Sequence, residues 1–243
     1  MTHKTRAIVL RTIKYGETSL VVTMLTELFG VQTYMVNGVR TSKRSSAKAN
    51  LFQPAAILDL VVYHHATKSM QRIKEFEWGF LYRSVLSDVI RNNIAAYMME
   101  LLYRCLKQPE PNNDLFLFCE EALMELDTGS HAVAANFPLF FTIHLAHFFG
   151  FRITGNYSAA NNILDLQEGL FTHLQPQHPH FMEGEDAFIT AQLLKVMQPH
   201  ELEELKLNRG TRRNLLVRYL EYYALHITDF GQMKTLVVLN EVL

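Results

Sequence analysis

The sequence predicts an α+β protein: a small five-stranded β-barrel, of which the OB-fold is the commonest kind, over residues 1–79, then an all-α bundle over 80–243. Three observations predict it. Short strand-like runs rich in β-branched and apolar residues, set off by close turn signals, continue to about residue 78 and give way to three- and four-residue helical steps from about 81. The charge divides at the same place: residues 1–75 hold 11 Lys and Arg against four acids, a net of +7, and residues 76–243 hold 12 against 20, a net of −8. A chain of 243 residues, 49% of them hydrophobic, is also long enough for two parts that each bury a core.

The strands come first. "TRAIVLRTIKY" (5–15) is followed by a turn at Tyr15-Gly16-Glu17. "SLVVTMLTE" (19–27) runs to a second turn at Phe29-Gly30, and "VQTYMVNG" (31–38) is the third strand. A polar, basic loop (38–50) precedes "AAILDLVVYHH" (55–65) and "SMQRIKEFEW" (69–78). Imperfect alternation in the first and fourth strands fits a barrel covered on both faces. The turn spacing fits an SH3-like barrel nearly as well as an OB-fold.

Leu86, Ile90, Ile94, Tyr97, Leu101 and Cys105 then share one helix face, and Pro109 and Pro111 end that helix. Asn113 or Asp114 is placed to cap the next helix, and "NFPLFFTIHLAHFFG" (136–150) closes on Gly150. Residues 151–186 read as an irregular insertion. Helices return at about 187–198, 211–227 and 233–243. The boundary near Trp78–Tyr82 has no Pro/Gly linker, so the two parts are expected to pack together.

Between Glu27 and Asp59 there is no acid, and within that interval stand Arg40, Lys43, Arg44 and Lys48. A basic loop between barrel strands can lie along a phosphate backbone and release counterions. Lys14, Arg72 and Lys74 extend the track, and Tyr34, Tyr63 and Phe52 can stack bases if they face outward. Nothing here reads base edges, so little sequence preference is expected. In the helical part Arg209, Arg212 and Arg213 form a candidate rim for an acidic partner peptide.

Other chemistries find little support. There is no phosphate-cradling Gly-rich loop, no G-x-S-x-G and no nuclease-type acid cluster, so no catalytic residue, cofactor or metal is assigned. The histidines at 144, 147, 173, 178 and 180 leave a metal enzyme as an alternative, and an RNA-binding OB module with a helical interaction domain as another. Cys105 and Cys119 lie in apolar helical patterns and are expected to be buried thiols. No apolar run approaches the roughly 20 residues of a membrane span, and the N-terminus lacks a signal-like block, so a cytoplasmic location is expected.

Three segments together resemble the bacterial recombination-mediator family RecO: "AIVLRTIKYGETSLVVTMLTELFGVQTYMVNGVRTSKR", "QPEPNNDLFLFCEEALMELD" and "ITDFGQMKTLVVLNEVL". Their order and spacing carry the likeness, which spans essentially the whole chain. The resemblance implies an N-terminal OB-fold and a helical C-terminal domain. It implies binding of single- and double-stranded DNA, annealing of complementary strands, partnership with RecR, and help in loading RecA onto strands coated by single-strand binding protein. The acidic, apolar tail of that coating protein would dock on the helical part, and the location would be nucleoid-associated. Many members carry four zinc-binding cysteines in the region corresponding to about 151–182. This chain has none there, so a zinc finger is not carried over.

Overall fold

The structure, a computed structural model, describes residues 1–39 and 49–242. The basic segment 40–48, with Arg40, Lys43, Arg44 and Lys48, lies outside the described residues. The chain forms two compact units, Met1–Asp127 and Thr128–Leu243.

The first unit is built on a closed barrel of five strands in the order β1-β2-β3-β5-β4. They are β1 (Thr2–Tyr15), β2 (Ser19–Thr26), β3 (Gly30–Val36), β4 (Ile57–Tyr63) and β5 (Gln71–Trp78). The long β1 pairs with β4 through its first half and with β2 through its second, and a short parallel pairing of β3 with β5 closes the ring. This Greek-key closure is the OB-type arrangement and decides against the SH3-like alternative.

Ala7, Val9, Val22, Met24, Tyr34, Leu58 and Val62 point inward and fill the barrel. Ile8, Leu10, Leu25 and Ile57 are equally buried but lie on the other side of the pleat. Helix α1 (Val89–Cys105) packs on β1. Strands covered on both faces lose the polar half of their alternation, which is why β1 and β4 read imperfectly.

Helix α2 (Asn113–Thr128) follows α1, and its first free N–H groups are served by Asn112, whose side chain accepts from Leu115 N at 2.9 Å. The cap is thus one residue earlier than the sequence suggests. At the end of α2, Asp127 accepts 2.8 Å hydrogen bonds from the backbone N–H groups of Arg83, Ser84 and Val85. Burial alone would raise that carboxyl, but the bonds to the backbone of residues 83–85 and to the Ser84 hydroxyl outweigh it and hold it below the usual carboxylate range. The connector leaving the barrel is thereby fixed to α2, and the first unit extends past β5 to Asp127. Cys105 and Cys119 are buried free thiols, and burial pushes both upward.

The second unit is centred on α3 (His131–Leu145), whose Phe137, Leu139, Phe141 and Leu145 are buried. With the 3-10 turn Ala146–Phe149 it makes a 19-residue helical run long and apolar enough to cross a bilayer by composition, and 67% of its most apolar stretch is buried inside the protein. The sequence hides this length because Asn136, Pro138, Thr142 and His144 interrupt the apolar letters. Asn136 is buried and donates to Leu202 O at 3.1 Å and Leu205 O at 2.8 Å, tying a second 3-10 turn (Pro199–Glu204) to α3.

The insertion at 151–186 is not wholly irregular. It holds a three-stranded sheet of β6 (Ile163–Asp165), β7 (Leu170–Thr172) and β8 (Phe181–Met182), in the order β7-β6-β8. Strands of two and three residues are too short to show a period in sequence. Helices α4 (Gly184–Leu193), α5 (Arg209–His226) and α6 (Lys234–Val242) complete the unit. Arg218 and Glu221 of α5 hold β8 through Phe181 O and His180, and His178 contacts Asp165 at 3.3 Å.

Candidate nucleic-acid interface

One row of residues crosses the outside of the barrel. Ile13 pairs with Val21, Val21 with Met35, and Met35 with Arg72, so four neighbouring strands each contribute one side chain at the same level. At a strand spacing near 4.8 Å the row is roughly 14 Å long. Tyr63 continues it beyond Arg72. Ile13, Arg72 and Tyr63 are exposed, and Val21 and Met35 are half-buried.

This row lies where β3 leaves the barrel for the basic segment. Met35 is two residues from Asn37, and Val39, the last described residue before the gap, is buried in the barrel core. On the far side of the gap Phe52 is also in that core, packed against Phe76 with centroids 4.8 Å apart and ring planes at 59°. The segment carrying Arg40, Lys43, Arg44 and Lys48 is therefore rooted at both ends in packed hydrophobic residues.

Three of the other expected cations flank that root. Lys14 pairs with Leu20, which pairs with Val36, placing it one level beyond the row. Arg72 is beside Met35, and Lys74 is two residues farther along β5, in the direction β3 leaves. Lys14 and Arg72 make no hydrogen bond or ion pair among the described residues. Lys74 differs, since its ammonium lies 3.1 Å from Glu75.

Tyr34 requires a correction. It has 0% exposure, its neighbours on β3 face outward, and burial pushes its phenol well above the usual range. An even position on this strand points into the barrel, so its ring is core and offers no face to a base. Phe52 is core for the same reason. The exposed rings here are Tyr63, 40% exposed, and Tyr15, 59% exposed at the tip of the β1–β2 hairpin. Tyr15 escapes a sequence reading because it stands in the turn signal itself.

Farther along β4 and β5 the outer surface is acidic. Asp59 pairs with Glu77 and Val61 with Glu75 on β4 and β5, beside a cleft of about 500 Å³ that Glu27 also lines. A phosphate backbone laid there would meet carboxylates at every second residue. Arg6 does not offset them freely. Its guanidinium makes a two-pronged pair with Glu120 of α2, at 2.7 and 2.8 Å, and Glu120 is only 5% exposed. Burial pushes the Glu120 carboxyl up, against the pull of Arg6.

In the second unit Arg209, Arg212 and Arg213 stand in the first turn of α5. Arg209 donates to Asn240 O at 2.8 Å and Glu241 O at 2.6 Å, carbonyls at the end of α6. Arg212 donates to Leu207 O at 2.6 Å, and burial, with the nearby Arg209 charge, lowers its pKa. Two of the three guanidiniums thus have structural duties. Among the described residues no three His, Cys, Asp or Glu side chains come together to hold a metal ion. His144 contacts Leu193 O at 3.3 Å, and His178 and His180 face carboxylates.

Two family profiles cover this chain: Recombination protein O N terminal over residues 1–81 and Recombination protein O C terminal over residues 86–232. A DNA repair protein RecO from Azobacteroides pseudotrichonymphae is 31% identical over 242 residues, covering 100% of this chain and 99% of the relative. One from Bacteroides fragilis is 33% identical over 242 residues, covering 99% of each, and one from Christiangramia forsetii is 30% identical over 238, covering 98% of each.

Proposed function

This chain belongs to the RecO family of DNA repair proteins, and on that premise we propose that it is a non-enzymatic mediator of recombinational repair. The barrel, taken as a nucleic-acid-binding domain over residues 1–79, holds single- and double-stranded DNA by the phosphate backbone. Its cations screen the repulsion between two strands, so complementary strands meet and pair without nucleotide hydrolysis. The helical part, with Arg213 as the candidate contact left once Arg209 and Arg212 bond within the fold, receives protein partners: RecR and the acidic tail of single-strand binding protein. Through them RecA is loaded onto coated strands, and the location is cytoplasmic, at the nucleoid.

The observation that supports this reading is that Lys14 and Arg72, exposed and without a partner among the described residues, flank the strand end that leads into the acid-free segment 40–48. Salt-dependent binding tests it. Fluorescence anisotropy of a labelled mixed-sequence single strand should give a slope of log K on log[salt] of about −3 for four phosphate contacts. Reversing Arg40, Lys43, Arg44 and Lys48 to Glu should flatten that slope and weaken binding on all sequences alike. Equal slopes for the two proteins would remove the loop from the interface, and loss confined to one sequence would contradict backbone binding.

A further inference from the structure

One stretch of the barrel has a sheet neighbour on one side only. β5 pairs with β4 along its length to Trp78, while its parallel pairing with β3 stops at Arg72. Gly79 N donates to Ile57 O at 3.0 Å, which fixes the alternation at this end of the strand. Glu77 therefore turns its backbone groups to β4, and Phe76 and Trp78 turn theirs to the other side. Among the described residues no hydrogen bond reaches the N–H and C=O groups of those two. A groove of about 410 Å³ runs along this edge, lined by Leu51 and residues 74–78. Leu51, Phe76 and Trp78 are half-buried against the barrel core and give the groove an apolar floor.

The outward side chains along the edge are Glu75 and Glu77, both exposed, and Asp59 stands beside Glu77 on β4. Lys74 is the one cation among the described residues lining the groove, and its ammonium lies 3.1 Å from Glu75. An unpaired strand edge is a template for another strand, and proteins commonly guard it with charge. Here the guard is of one sign. A second copy laid on the same edge would set glutamates against glutamates, and like charges directly opposite destabilise a strand pair. A phosphate backbone is repelled for the same reason. The same carboxylates attract a strand whose outward side chains are cations.

We propose that this edge docks an extended basic segment of a partner protein, added to the barrel as a further strand beside β5. Every second residue of the segment is Lys or Arg and faces Glu75 or Glu77. The residues between are apolar and lie over Leu51 and Trp78. The backbone groups of Phe76 and Trp78 make the main-chain hydrogen bonds that give affinity, and the carboxylates select the partner. The proposal does not depend on DNA binding, since it uses the acidic side of the barrel.

The probe is a short, end-blocked, fluorescent peptide alternating Lys and Val, titrated with the full chain and followed by anisotropy. It should bind about fivefold or more tightly than the same residues rearranged into a Lys block and a Val block, which cannot offer cations and main-chain bonds in step. N-methylation of one alternate set of its backbone nitrogens should abolish binding, and methylation of the other set should not, because alternate residues face the edge. Glu77→Lys turns an opposite-charge pair into a like one and should weaken binding about threefold or more. The methylated peptides test the wild type itself, so the result does not hang on a variant that folds. Equal binding of the block peptide, or equal loss with both methylated sets, leaves charge attraction alone and overturns the proposal. No binding to the wild type overturns it too. So does binding that appears only once Arg40, Lys43, Arg44 and Lys48 are changed to Gln, which would give the edge to the chain's own segment.

Discussion

The exposed end of the barrel and the start of α5 each gather cations, and the two put them to different use. Lys14 and Arg72 reach solvent without a partner among the described residues, beside the root of a segment with four more cations. At α5, Arg209 serves the last carbonyls of α6 and Arg212 serves Leu207 O. A sequence counts charges, but binding depends on the charges left over once the fold has taken its share. Arg6 marks the limit of that contrast. It belongs to the basic N-terminal part, yet it is committed to Glu120.

Removing Arg6 should therefore be the most damaging cation substitution in the chain. Arg6→Ala leaves the Glu120 carboxylate buried and unpaired, which costs about 2–3 kcal/mol for a pair whose arginine is partly solvated. The loss should depend on pH. Burial already pushes the Glu120 carboxyl up, and without Arg6 it rises further. A carboxyl raised in the folded state is penalised only where it must ionise. The destabilisation should thus be full at pH 8 and shrink as pH falls through that raised pKa toward the ordinary carboxylate range. Urea melts of both proteins at pH 8 and pH 5 check this, and equal losses at the two would mean that Glu120 is not the source.

Arg209→Ala should cost less, about 1 kcal/mol, because it removes a cap from carbonyls that water can partly serve. Faster amide hydrogen exchange in α6, with α3 unchanged, is the expected signature. An α6 that exchanges as before, joined to a lost affinity for an acidic, apolar peptide, would instead move Arg209 to the free class and erase the contrast with the barrel.

The fold was legible where local pattern and burial agree. The five strands and the change from strand to helix can be read from turn residues and spacing, although the helix itself begins at Val89 rather than near residue 81. What could not be read depends on contacts distant in sequence. Tyr34 and Tyr63 look alike as letters, and only the register of β3 and β4 sends one into the barrel and leaves the other outside. The sheet of β6, β7 and β8 rests on Arg218, Glu221 and His226 of α5, roughly 40 to 60 residues from their partners. A cleft beside the β4–β5 loop exists only because β3 and the prolines at 109 and 111 close on it.

The smallest effect on stability should come with a distinct effect on binding, and Arg72 is the residue that separates them. An exposed side chain with no partner contributes within about 0.5 kcal/mol to folding, so Arg72→Glu should melt like the wild type. If the guanidinium touches one phosphate, its reversal should flatten the salt slope by about 0.7 and weaken single-strand affinity in low salt more than in high salt. Lys74→Glu provides the internal comparison. Its ammonium already faces Glu75, so a phosphate there would compete with a carboxylate 3.1 Å away, and the slope should change less. The order Arg72 before Lys74 follows from the partners each has in the folded barrel, since the two stand in near-identical sequence surroundings. Equal slope changes would mean that the acidic surface of β4 and β5 does not limit where the strand lies, and the line between bound and committed cations would have to be drawn elsewhere.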